Sequence, residues 1–171
     1  MKIGIINDHR GVKLKNEILD GLKNKDYEII NYGTNNEDRV DYPAYSFKLG
    51  EAVINGDVDF GIAICGSGIG VSVACNKVKG IRCGIVDTEE QVKHGKSCDY
   101  INILALRGEY MDCEKAISLI EIYINTDYAE DKTYYERVKQ IEKYELIGTY
   151  ELWDISILNF NNNSPLGNGF S

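Results

Sequence analysis

Short apolar, β-branched runs alternate along this chain with stretches of helical period, and that alternation limits the available folds more than any other feature. Lys2–Ile6, Tyr27–Tyr32, Phe60–Ile64, Arg82–Val86 and Ile101–Leu106 read as five strands. Between them, Gly11–Lys23 sets Leu14, Ile18 and Leu22 on one helical face. The helix opened by Tyr42-Pro43 turns Tyr45, Leu49, Ala52 and Val53 inward. Ile69–Val78 and Glu89–Cys98 are further helices, and Cys113–Ile124 carries Ile117, Ile120 and Tyr123 or Ile124 on its inner side. A last helix covers about Lys132–Tyr144. The pattern predicts a three-layer α/β/α sandwich around a five-stranded parallel, Rossmann-like sheet, with a C-terminal helix and extension. Ligands of such sheets sit beyond the carboxyl ends of the strands, so chemistry is expected just after Ile6, Ile64, Val86 and Leu106.

The chain's 171 residues make one domain, residues 1–145, with residues 146–171 as a partly irregular extension. Within that extension the apolar piece Tyr150–Leu158 is suited to packing, whereas Asn159–Gly169 is rich in Asn and Gly. A net charge of −8 argues against nucleic acid and anionic membranes as partners, since both require a basic footprint. It leaves room for a small anionic substrate held by a few local cations. The N-terminus reads as a strand rather than a signal peptide, and no run is long enough to span a bilayer, so a cytoplasmic location is expected. The five cysteines include no C-x-x-C pair, which disfavours a disulfide framework or a zinc knuckle.

Two polar clusters fall on the expected carboxyl edge. After the third strand comes Cys65-Gly66-Ser67-Gly68-Ile69-Gly70, leading into a helix. Alternating glycines let main-chain N–H groups turn toward an oxyanion, and a cysteine beside a helix N-terminus gains thiolate character. The third glycine comes one residue too early for a dinucleotide fingerprint, and the Lys of a P-loop is absent. Taken alone, the loop is equally well explained as a tight turn packing a helix on the sheet, with an inert Cys65. After the first strand comes Asn7-Asp8-His9-Arg10-Gly11. On its own Asp8 there reads best as a helix N-cap with two solvated basic neighbours. With both clusters on one edge, the purely structural account of each weakens. Lys132 and Arg137, judged by spacing alone, are an ordinary polar helix face, and His94 an ordinary solvated histidine.

Asp8-His9, Tyr32-Gly33-Thr34, Val40-Asp41-Tyr42-Pro43, the Cys65–Gly70 loop, Asn76–Arg82 and Asn102-Ile103-Leu104 together resemble the family of type B ribose-5-phosphate isomerases and galactose-6-phosphate isomerase subunits. The resemblance covers roughly residues 1–145. It implies aldose–ketose isomerisation of a phosphorylated sugar, ribose 5-phosphate to ribulose 5-phosphate, through a cis-enediolate. In that scheme Cys65 is the base and the Gly66–Gly70 loop, including Gly68 and Ile69, holds the oxyanion with Ser67 as a donor. Asp8 handles protons among the hydroxyls and His9 contacts the phosphate. Lys132, Arg137 and Arg10 add positive charge. No metal or organic cofactor is implied. The resemblance also implies a homodimer or dimer of dimers in which two chains share each site.

The chain departs from the family pattern at the ring-opening histidine, whose position is held by Cys98, followed by Asp99. A thiol is a poorer proton donor than imidazole near neutral pH, and His94, one helical turn earlier, is a candidate substitute. Glu109 stands where the family often has Arg, with Arg107 nearby. Lys132 stands where Arg is common, which loses a bidentate phosphate contact. These changes keep two alternatives open. One is a subunit of a heteromeric galactose-6-phosphate isomerase, and the other is a non-catalytic sugar-phosphate-binding subunit.

Overall fold

A computed structural model describes residues 1–150. The five expected strands form close to their predicted bounds, as β1 (Lys2–Asn7), β2 (Glu28–Asn31), β3 (Phe60–Cys65), β4 (Cys83–Ile85) and β5 (Ile103–Arg107). All neighbours are parallel, in the order β2-β1-β3-β5-β4. Six helices connect and cover them: α1 (Val12–Leu22), α2 (Tyr42–Ile54), α3 (Ile69–Cys75), α4 (Glu89–Ser97), α5 (Cys113–Asn125) and α6 (Lys132–Ile147).

The period-two alternation of the central strand divides the core. Phe60, Ile62 and Ile64 join Ile3, Ile5, Leu104 and Leu106 under α1, α4 and α5. Ala63 and Cys65 point the other way, into a smaller cluster with Ile6, Leu49, Val71 and Cys75 under α2 and α3. β3 is buried along its whole length, as a central parallel strand covered on both faces must be. The expected sandwich is therefore the observed one.

Several bounds differ for local reasons. α3 stops at Cys75 rather than Val78, because the Asn76 side chain turns to bond the Cys83 main chain, accepting from its N–H at 2.7 Å and donating to its carbonyl at 2.9 Å. A single 3₁₀ turn, His9–Gly11, precedes α1. α6 runs two residues past the domain boundary expected at 145 and ends at Gly148, which takes the left-handed conformation with φ 67°. Apart from Tyr150, the segment Tyr150–Leu158 and the Asn/Gly-rich tail lie outside the described residues. No helix among the described residues is long and apolar enough to cross a membrane.

Candidate active site

Strand register brings the two polar clusters together. Asn7 stands beside Ile64, and the Asp8 N–H donates to the Ile64 carbonyl at 3.1 Å. The chain leaves β1 for β2 on one side while β3 lies on the other, so the carboxyl ends of β1 and β3 flank a topological switch point. Cys65 is the last residue of β3, 5% exposed, with its carbonyl accepting from Gly108 N–H at 2.8 Å. Gly68 begins α3 with φ 76°, a conformation that turns the chain from strand to helix and that side chains other than glycine rarely adopt. The Ser67 hydroxyl accepts from Ile69 N–H at 3.2 Å, which leaves its own proton free to be donated.

On the β1 side, Asp8 is buried and its Oδ1 accepts from Arg10 N–H at 2.9 Å, so the N-cap expected of it is present. Nδ1 of His9 accepts from Val40 N–H at 3.4 Å, an arrangement that leaves the ring proton on Nε2. Behind these residues, Asn7 Nδ2 donates to the carbonyls of Asp8 and Thr34. The fully buried Lys15 donates to the Thr34 carbonyl and to Asn35 Oδ1. This network fixes the loop after β2 against the end of β1.

Arg10 is the cation closest to the loop. Its guanidinium lies across Gly66 so closely that a Cβ there would overlap Cζ. Nε and Nη2 both donate to the Glu109 carboxylate in a bidentate pair. The pair raises the Arg10 pKa, and the Arg10 guanidinium holds the Glu109 carboxyl below its ordinary value. Arg107, the cation near position 109, meets Asp87 at 3.7 Å and lies over the Tyr110 ring.

Cys98, Asp99, Lys132 and Arg137 are elsewhere. Parallel strands require α4 to run back across the sheet, which delivers Cys98 and Asp99 to the amino edge, just before β5. α6 packs at that same edge, through Glu145 to Gly80 N–H and Glu142 to Arg82. Cys98 is buried, with Sγ 3.4 Å from Ser97 Oγ, and it neighbours the Tyr134 phenol, whose pKa it raises. Arg137 stacks over the Tyr134 ring at 5.6 Å, and His94 Nε2 lies 3.5 Å from Asp99 Oδ2. His94 and Asp99 line a cleft of about 600 Å³ with Ile85, Val86 and Glu90. The structure thus brings Asp8, His9, Arg10 and the Cys65–Gly70 loop into one group, and Cys98, Asp99 and Arg137 into another. About five strand residues, roughly 16 Å, separate the two edges.

Sequence reasoning assigned no role to Tyr42, Lys15 or Tyr134. Tyr42 lays its ring against Gly70, where a Cβ would come within 2.7 Å. The i, i+3 spacing of Tyr134 and Arg137 was the available signal for the third. Among the described residues no group of three or more His, Cys, Asp or Glu is placed to hold a metal ion.

A doubly wound parallel sheet carrying a thiol, a carboxylate and donors at its switch point defines a class of α/β proteins that handle small anionic substrates. The chain belongs to the Ribose/Galactose Isomerase family, which matches residues 3–141. Ribose-5-phosphate isomerase B of Escherichia coli is 34% identical over 144 residues, 84% of this chain and 96% of the relative. Galactose-6-phosphate isomerase subunit LacB of Clostridium acetobutylicum is 31% identical over 143 residues, 84% of this chain and 83% of the relative. The structure of Clostridium thermocellum ribose-5-phosphate isomerase B superposes with TM-score 0.83 at 37% identity, covering 87% of this chain and all of that one. The Mycoplasma genitalium ribose-5-phosphate isomerase B structure with bound ribulose-5-phosphate superposes with TM-score 0.79 at 32% identity, covering 85% and 97%. The fold and the family expected from the sequence are those found, and the chain is an enzyme of this isomerase class.

Proposed function

We propose that this protein interconverts ribose 5-phosphate and ribulose 5-phosphate, with the Cys65 thiolate as the base. The observation carrying this reading is the meeting of Cys65 and Asp8 at one switch point, in a chain similar to an enzyme solved with ribulose-5-phosphate. The thiolate takes the proton from C2 of the open-chain aldose. The electron pair of that C–H bond becomes the C1–C2 double bond, and the carbonyl oxygen on C1 becomes the enediolate oxyanion. Ser67 and the loop amides of Gly66–Gly70 stabilise that charge. Return of the proton from sulfur to C1, with transfer of the O2 proton through Asp8 to the O1 oxyanion, yields the ketose and restores the thiolate. The transfer is internal, so no oxidant or cofactor enters. His9 Nε2–H and Arg10 supply donors for the phosphate.

Ring opening and the rest of the phosphate site draw on Cys98, Asp99, Lys132 and Arg137. A five-carbon sugar phosphate is too short to reach them from Cys65 within one chain. The reading therefore includes a second chain, whose amino-edge group completes the site. The partner is a second copy in a homodimer or dimer of dimers, working in a reducing, cytoplasmic compartment where all five thiols stay free.

The test is a coupled isomerase assay of the purified chain over several pentose and hexose phosphates. Wild type turns over ribose 5-phosphate, and Cys65→Ala loses at least about 100-fold with an unchanged circular dichroism spectrum. Wild-type rates in that variant overturn the assignment. Cys98 at the ring-opening position and the 31% identity to a galactose-6-phosphate isomerase subunit favour a second reading, a subunit of a heteromeric hexose-6-phosphate isomerase. That reading predicts a lone chain without turnover, restored by a related chain that carries the missing histidine.

A further inference from the structure

Glu109 has no part in the reaction as written, yet it occupies Arg10, the cation whose guanidinium lies across Gly66. Its main-chain N–H donates to the Gly66 carbonyl at 3.2 Å, and Gly108 N–H donates to the Cys65 carbonyl, so the turn after β5 is sewn directly to the catalytic loop. The side chain then closes back over that loop onto the Arg10 fork. Arg10 in turn is anchored at its N–H by Asp8. The geometry of a carboxylate in both fork positions of a guanidinium is the geometry a phosphate would adopt there.

We propose that Glu109 sets the affinity of the carboxyl-edge site for its anionic substrate by occupying Arg10 as an internal competitor that the substrate phosphate must displace. The inference rests on the sugar-phosphate reading above. Both side chains are close to half exposed, at 48% and 39%, so the exchange needs no opening of the core. Glu109 also lines a cleft of about 750 Å³ between α1 and the turn, in which Lys13 lies 4.0 Å from Glu17. The same cleft carries Glu17, Asp112 and Glu114, a sign of charge that repels the substrate and confines it to the Gly66 side of Arg10. A phosphate dianion with three acceptor oxygens is a stronger partner for the fork than one carboxylate, so displacement is favourable but weakened by the competition.

The test is Glu109→Gln, which keeps the stem and the main-chain bond to Gly66 while removing the charge. Because exposed ion pairs are weak, the expected change is modest: KM for the sugar phosphate falls about three- to five-fold, with the effect in KM rather than kcat. Calorimetry with inorganic phosphate follows the same change and reads it without turnover. In an Arg10→Gln background the Glu109→Gln gain disappears, because no guanidinium is left to free. A KM and phosphate affinity that are unchanged or worse in Glu109→Gln overturn the inference, since a residue that merely orders Arg10 would weaken binding when neutralised. Absence of turnover in wild type on every sugar phosphate would instead count against the functional reading, and the phosphate calorimetry would still decide the role of Glu109.

Discussion

Lys15 is a cation sealed into the structure on two neutral acceptors. It is fully buried, and its ammonium donates to the Thr34 carbonyl and Asn35 Oδ1 rather than to a carboxylate. Burial lowers its pKa below the ordinary lysine value of 10.5. The unfolded chain holds that proton up to the ordinary value, while the folded protein releases it earlier. Between the two the unfolded state binds more protons, so stability rises with pH across that window; below the folded pKa the full desolvation cost applies. Urea unfolding of wild type against Lys15→Met is expected to show a difference that moves in favour of wild type as pH climbs from neutral toward 10.5. At neutral pH the two differ by less than about 1.5 kcal/mol, because two lost hydrogen bonds oppose relief of a buried charge. A difference that stays flat over the window contradicts the argument. Nothing in the local sequence marked Lys15 as buried, since a lysine beside Leu14 reads as the polar flank of the helix. Only the fold-back of Thr34-Asn35 across α1 encloses it.

At the scale of elements, α5 is tied to the start of β5 by Tyr123. The ring packs 4.5 Å from Phe60 of β3, and the hydroxyl donates to the Ile101 carbonyl at 2.7 Å. Burial pushes this phenol well above its ordinary pKa of 10.0. Tyr123→Phe keeps the ring contact but leaves a buried carbonyl without its donor, so a loss of about 1–2 kcal/mol is expected in thermal or urea unfolding. The folded phenol keeps a proton that the unfolded chain gives up near 10.0, so the wild-type advantage is complete below that pH and declines above it. A variant as stable as wild type would show that water replaces the hydroxyl. Elements such as α5 were legible because their inward residues repeat at helical period, and β3 because six apolar residues end at a glycine loop. α3 was overextended because the Asn76 side chain, which ends it, acts on Cys83 seven residues away. The swap that sets β5 between β3 and β4 is a matter of sheet assembly and leaves no local trace. The Cys65–Asp8 meeting was legible through the rule for strand ends, whereas the Arg10–Glu109 pair joins residues 99 apart.

On the scale of the whole molecule, the parallel sheet divides the candidate residues between its two edges. β3 ends in Cys65 and β1 leads directly into Asp8, and the return through α4 leaves Cys98 and Asp99 at the opposite edge beside Tyr134 and Arg137 of α6. If each working site joins one edge of one chain to the other edge of a second, two differently damaged chains repair one another. Cys65→Ala has a dead carboxyl edge and an intact amino edge, and Arg137→Ala the reverse. In a mixed dimer one site carries both lesions and the other carries neither. Co-refolding equal amounts of two weakly active variants makes half of the dimers mixed, with one sound site in each. The mixture is therefore expected to recover about a quarter of wild-type activity from an isologous pair. The recovered activity should show the KM of wild type, because the surviving site is chemically complete. Varying the ratio of the two variants at constant total protein should give a maximum at equal proportions. Activity that stays at the sum of the two separate variants at every ratio would mean that each chain works alone, and the amino-edge group would then have to be assigned to packing.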